Sequence, residues 1–471
     1  MITEVLLNLQ YEILINKPNM KNLIRLLSLF TVSGLILMSC EGPRGLPGAD
    51  GQNGVDGIDA NETCKECHNQ TVVEPKITEF SFSKHEYGEA SFEEGGSTGC
   101  TPCHTSDAFR YVCKNSTPAT FTLGSNGKYS NDYAAVSDKT LGKFTCFTCH
   151  QNLHTTYTGA DFKPLTNTAA VSMTMWKGTK SIDLTQDGGS SNLCIKCHQP
   201  RPLTTSTSTS NGDVVDYVAL ATTPATVYYD NAVGNAAPNK VIPSYRTHIH
   251  YGAQGAIYAG KGGVEFTGTL AYANSAHTTA AACVDCHSAP VSLRAGGHTF
   301  RVRSDAGALT SSSAWNFKGC NVAGCHTSAI TATSTIWTAT RTENQTLLNT
   351  LATKLNAVGA GVPILHSEKD GELNLWAGLT TGNYDGYLNI YDPSTNPNGV
   401  WKNPGSTSSW TTDQKTTNNA LPLFPSLKAG VIGAMINFQL CLREYSLGIH
   451  NTKYSKALLQ NSIETMTAIG Y

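Results

Sequence analysis

Charged side chains are scarce in this chain of 471 residues, at 14 % of the total, and they nearly cancel to a formal net charge of −2. The balance excludes the basic bias of a nucleic-acid-binding protein. Long apolar runs are also rare. The clearest, Leu26 to Met38, has 13 residues, too few to span a bilayer as a helix. Apolar residues at helical spacing are likewise thin before the last third, while glycine, serine, threonine and asparagine are plentiful. Such a chain has many turns and few long helices. What it has in quantity is cysteine and histidine, 15 and 14 respectively.

Twelve of the cysteines fall into one pattern. Cys-x-x-Cys-His occurs as Cys64/Cys67/His68, Cys100/Cys103/His104, Cys146/Cys149/His150, Cys194/Cys197/His198 and Cys283/Cys286/His287. A wider version, Cys320-Asn-Val-Ala-Gly-Cys325-His326, closes the series. At this composition about 0.014 strict matches are expected by chance, against five found. Zinc would need the motifs paired into four-ligand sites, and disulfides would need no histidine. The spacing is that of c-type haem attachment. Two thiols form thioethers to the vinyl groups, and the adjacent histidine becomes the proximal iron ligand. Six covalently bound haem c groups are therefore expected, with His68, His104, His150, His198, His287 and His326 proximal. Successive motif histidines stand 36 to 89 residues apart, too irregular for a solenoid repeat.

Covalent haem attachment takes place outside the cytoplasm, and an export signal is present. Met20, Lys21 and Arg25 open a basic start to the 13-residue apolar run. The run ends in Leu37-Met38-Ser39-Cys40, which resembles the lipobox of bacterial lipoproteins, with Cys40 as the acylated residue. Several acyl chains, each contributing about 0.8 kcal/mol per buried CH₂, would anchor the chain durably. Residues 1–40 thus read as signal peptide. Glycines at 42, 45, 48, 51, 54 and 57 then make residues 41–60 collagen-like. With only Pro43 and Pro47 in support, an extended tether is the better reading than a trimerisation stem. At roughly 3.1 Å per residue it would reach about 60 Å.

Eight histidines lie outside the motifs: His85, His154, His248, His250, His277, His298, His366 and His450. A second strong ligand closes an iron to substrate and leaves electron exchange. Ser83-Lys84-His85 and Ser275-Ala276-His277 resemble the distal-ligand segments of bacterial multihaem cytochromes. So do the stretches His250 to Gln254, Gly260 to Phe266 and Gly296-Gly-His-Thr-Phe300. Gly448-Ile-His-Asn-Thr-Lys-Tyr454, with Leu458-Leu459, resembles the closing helix of the cytochrome c nitrite reductase and octahaem cytochrome superfamily, with Thr452 where proline is usual. The resemblance implies distal roles for His85, His250, His277, His298 and His450. His154, four residues after His150, would share its helical face and reach a neighbouring haem. His248 shares a strand-like face with His250 and is an alternative to it. His366 has no supporting context.

Residues 327–471 carry no motif. Thr342-Glu-Asn-Gln345 reads as a capping box opening a helix through Leu347, Leu348, Leu351, Leu355 and Val358 to a stop at Gly359. Two more helices are expected near 428–444 and 452–467, the first apolar nearly all round and so buried. Thr204 to Ser210 reads as a surface loop, ahead of strand-like pieces at 214–215 and 227–229. A Cys113–Cys441 disulfide is permitted in this compartment. The expected fold is mostly irregular with α-helices and few short strands, a multihaem cytochrome c fold in which haems form the core. If His450 ligates, residues 61–471 are one unit.

The expected function is electron transfer by a lipid-anchored hexahaem cytochrome of the bacterial envelope, on the periplasmic or surface face of the outer membrane, in respiration or extracellular electron transfer. Its partners would be other redox proteins or cytochromes and the membrane, with no nucleic acid and self-association only through the Gly-x-y segment. A reductase of nitrite or a related nitrogen or sulfur oxyanion is the alternative, and a filament subunit a further one. The reductase needs an open haem, and the family's Cys-x-x-Cys-Lys motif is absent.

Overall fold

In the computed structural model, the described residues are 60–87, 101–114, 142–173, 180–200, 215–230, 249–250, 252–304, 314–358 and 426–471, with strand backbone at 122–123, 129–130, 204–207, 210–214, 365–367 and 384–388. The chain divides into two compact units, Met1–Glu62 and Thr63–Tyr471. The signal peptide, Cys40 and nearly all of the Gly-x-y stretch lie outside the described residues, as do Cys100 and His248. Among the described residues no helix is long and apolar enough to cross a membrane.

Close to half of the described residues are helical, and the strands form only two-stranded antiparallel pairs. Three long helices organise the second unit: α1 (Thr335–Ala357), α2 (Ala429–Arg443) and α3 (Thr452–Ala468). All fifteen residues of α2 are buried, as its apolar circumference requires. The α3 helix starts where the Asn451 side chain accepts from the Tyr454 amide, and α1 and α2 both pack against it.

These helices gather a conventional core. Leu348, Leu351 and Leu355 of α1 meet Val431, Ile432, Met435 and Phe438 of α2, Leu458 and Leu459 of α3, and Ile249, Ile257, Val264 and Phe266. The described helices of this region thus bury aliphatic side chains against one another. Gly263 lets the strap approach α3: a Cβ there would stand 2.3 Å from Leu458 Cδ2.

The polar side chains of α2 are buried but bonded, and they fix the strap that carries His250. Asn437 accepts from the Val264 amide at 2.8 Å and donates to its carbonyl at 2.8 Å. Gln439 accepts from the Ile249 amide at 2.9 Å, and Arg443 donates to the Ile249 carbonyl. Unmade, each such bond would leave a buried polar group to desolvate, at about 1–3 kcal/mol.

The first motif sits on the helix Ala60–Cys67. Two local expectations are corrected. Helix α1 begins at Thr335, not at the Thr342 box, because Ile336 and Trp337 extend it; Trp337 packs edge-on to Trp315 at 4.9 Å. The Thr204–Ser210 tract is not a simple loop but opens a hairpin of Thr204–Thr207 with Ser210–Val214, in keeping with the strand preference of β-branched threonine. Cys113 and Cys441 are both buried and unbridged, and sit in separate clusters.

Candidate haem-ligand sites

The motifs lie on short helices or turns, such as Ala60–Cys67, Thr101–His104, Cys146–Cys149, Ser190–Ile195 and Cys283–His287. Where both cysteines of a motif are described, they lie about one turn apart and the chain passes directly to the histidine. The His68, His150 and His198 amides return to the carbonyls of Cys64, Cys146 and Cys194 at 2.7, 2.9 and 2.9 Å. None of the described motif thiols is bridged to another cysteine. In motifs 1 and 3 the two thiols are not equally placed: Cys64 and Cys146 are exposed, while their partners Cys67 and Cys149 are half-buried. In the wide motif the order is reversed, with Cys320 half-buried and Cys325 exposed.

Every motif histidine faces one other histidine ring. Numbering the sites by motif, the pairs and centroid separations are His68–His154 at 5.7 Å, His104–His250 at 6.1 Å, His150–His298 at 6.5 Å, His198–His85 at 6.1 Å, His287–His450 at 6.3 Å and His326–His277 at 6.1 Å. The separation has a direct reading. A bond of about 2 Å from each imidazole to a first-row metal, with roughly 1 Å from Nε2 to each ring centre, puts the centroids roughly 6 Å apart. In site 1 the two Nε2 atoms face each other across 3.4 Å, a direct contact shorter than the about 4 Å that two such bonds would span. Six independent pairs near that separation, each uniting segments far apart in sequence, fit an iron between two imidazoles.

The outer nitrogens support the same geometry. Nδ1 of His277 donates to the Ile449 carbonyl at 3.0 Å and that of His287 to the Phe300 carbonyl at 2.9 Å. Nδ1 of His450 meets the Glu444 carboxylate at 2.6 Å, that of His198 the Gln254 amide oxygen at 3.3 Å, and that of His85 the Ser83 hydroxyl at 3.3 Å. An imidazole bonded to a carbonyl through Nδ1–H keeps its Nε2 lone pair for a metal. Burial also favours the neutral ring. It pushes His85 down to about 4, with His198 and His287 adding to the effect, and pushes His287 down to about 4, with His450 adding. Burial lowers His150, His198 and His298 as well. His450 differs: burial works to lower it, but Glu444 outweighs burial and holds it above the usual value.

Glu444 is fully buried and satisfied from three sides, by His450, the Ser446 hydroxyl at 2.5 Å and the Gly448 amide at 2.8 Å. Gly448, at φ +84°, makes the turn that aims this amide and delivers His450. Beside it, Asn451 accepts from the Ser275 amide at 3.0 Å, which ties the start of α3 to the segment bearing His277.

The six distal candidates are thus each brought opposite a motif histidine. His154 arrives by a different route from the one expected. The helix ends at Cys149, and His154 stands in a turn at φ +65°, opposite His68. The Asp161 carboxylate gathers the Thr155, Thr156 and Tyr157 amides and holds that turn. His250 faces His104, whereas its alternative His248 lies outside the described residues. His366 lies on the Leu365–Ser367 strand, and its side chain lies outside the described residues. Sequence reasoning missed Glu444 and Phe300. A signal for the first was present: Arg443-Glu444 is a charged pair closing an otherwise apolar run.

Zinc fits less well. Among the described residues no group of three or more His, Cys, Asp or Glu side chains converges on a metal-sized site. Haem iron asks the protein for two ligands, since porphyrin supplies four, and two is what each site offers. No protein-family model, curated protein or solved structure matches the chain.

Proposed function

We propose that this chain is a hexahaem c-type cytochrome that transfers electrons. The observation that carries the reading is the pairing of all six motif histidines with a second histidine at a separation suited to an intervening iron. Haem supplies the one-electron couple when bound. The chain's part is to fix twelve imidazoles, hold the Nδ1 atoms of His85, His198, His277, His287 and His450 on protein oxygens, and offer the thiols for attachment. Filling both axial positions leaves no iron for an oxyanion, which favours a carrier over a reductase. Among the described residues each histidine pair is complete within one chain, which weakens the case for a filament built on shared ligands.

The resemblance of the N-terminus to a lipoprotein signal supports a carrier on the envelope of a bacterium, exported and held to the outer membrane through Cys40, with other redox proteins as partners. Electron paramagnetic resonance of the oxidised holoprotein tests the core of the proposal. Six low-spin, six-coordinate irons per chain are expected. One stoichiometric high-spin iron would turn the reading towards a reductase.

A further inference from the structure

Phe300 sits where three of the six sites meet. Its ring lies edge-on to His85 with centroids 5.3 Å apart and 5.6 Å from His298, while its carbonyl accepts from His287 Nδ1 at 2.9 Å. One residue, held at φ +53°, therefore touches a ligand of site 4, a ligand of site 3 and a ligand of site 5. The attachment thiols agree. The Cys194 thiol of site 4 stands beside the Cys283 thiol of site 5, with Cys149 of site 3 near it.

The other three sites hang on these, and site 2 touches two of them, since Ser106, two residues after His104, bonds Thr148 beside Cys149 of site 3 at 2.6 Å. Site 1 joins site 3, because His154 follows His150 by four residues. Site 2 joins site 4: the Cys103 thiol meets Cys197 and the Lys196 carbonyl. On the same side Gln254, four residues beyond His250, holds His198, and the Gly255 amide donates to the His198 carbonyl at 3.0 Å. Site 6 joins site 5, since His277 is held by the carbonyl of Ile449, the residue before His450. There Gly319 approaches so closely that a Cβ would stand 2.3 Å from the Asp285 carbonyl oxygen.

We infer that the six haems form a branched array of three arms rather than a single file, with sites 3, 4 and 5 meeting at Phe300 and sites 1, 2 and 6 as the three ends. The inference rests on the cytochrome reading and deepens it. With haem bound, an electron from a reduced one-electron carrier at one end would reach the junction and leave to an oxidised carrier at either of two others, so that only the two carriers would change oxidation state. A wire has two partners; this arrangement has positions for three. The His68 and His154 rings of site 1 are both exposed, which marks that arm as one open to a partner.

An iron anomalous-scattering map of the crystallised holoprotein tests this directly. Three irons should lie next to one another around Phe300, each with one of the remaining three beside it. Six irons in single file, or sites 3, 4 and 5 apart, would overturn the branching and leave the cytochrome reading standing. A chain from a haem-attaching host that carries no covalent haem would remove both. Phe300→Leu in the holoprotein adds a spectroscopic readout: it removes the ring contacts to His85 and His298 and keeps the main-chain carbonyl on His287, so the low-spin signals of sites 3 and 4 are expected to shift together. A shift of only one of them, or of neither, counts against the junction, and the wild-type map decides if this variant fails to fold.

Discussion

At the scale of single residues, the proposed redox behaviour is set by what stands behind each imidazole. Five of the ring nitrogens described above rest on neutral or carboxylate oxygens, and the shortest contact is that of His450 with buried Glu444. A carboxylate bonded to Nδ1 makes the imidazole a stronger donor and favours the more positive, oxidised iron. Glu444→Gln keeps the shape and removes the charge. One of the six midpoint potentials should then rise by about 60 mV, a tenfold change in the one-electron equilibrium, as read in a spectroelectrochemical titration. An unchanged set of potentials would show that Glu444 only holds the turn. His450→Ala is a harsher test of the same site. It should convert one sixth of the iron to high spin, and no such conversion would mean that the His287–His450 pair does not ligate.

At the scale of elements, the helices that carry no haem motif position ligands through buried polar bonds. Leu458 is fully buried between α3 and the strap at Gly263, so Leu458→Ala should cost about 2–5 kcal/mol, measured as a lower denaturation midpoint. The attachment motifs and the two last helices were legible in the sequence, because a fixed five-residue spacing and an apolar run depend only on neighbours in the chain. The start of α1 was not. Thr342 to Gln345 satisfies the local rule for a cap, yet Trp337 packs on Trp315 and the helix runs on from Thr335. Nor could spacing tell that His154 would swing out on a left-handed turn, since Asp161 holds that turn from seven residues further on. Phe300 was invisible as a junction for the same reason: its three neighbours come from positions 85, 287 and 298.

At the scale of the whole molecule, each proposed haem would tie together segments that the chain keeps apart, so folding and ligand protonation must be linked. Burial leaves His85 and His287 at about 4 in the folded protein, against 6.5 when exposed. The folded state is therefore the one that refuses protons, and the unfolded chain binds them as the pH falls. Stability from these two groups is complete above about pH 6.5 and is lost progressively as the pH drops towards 4. Iron moves the balance the same way, because a ligated nitrogen cannot hold a proton. Denaturation midpoints measured at successive pH values should fall across that window and flatten below it. His85→Gln should reduce the slope, because a glutamine cannot take up the proton that histidine gains on unfolding. A slope that this substitution leaves unchanged would place the acid sensitivity elsewhere. It would also remove the support that the buried, neutral state of His85 gives to its pairing with His198.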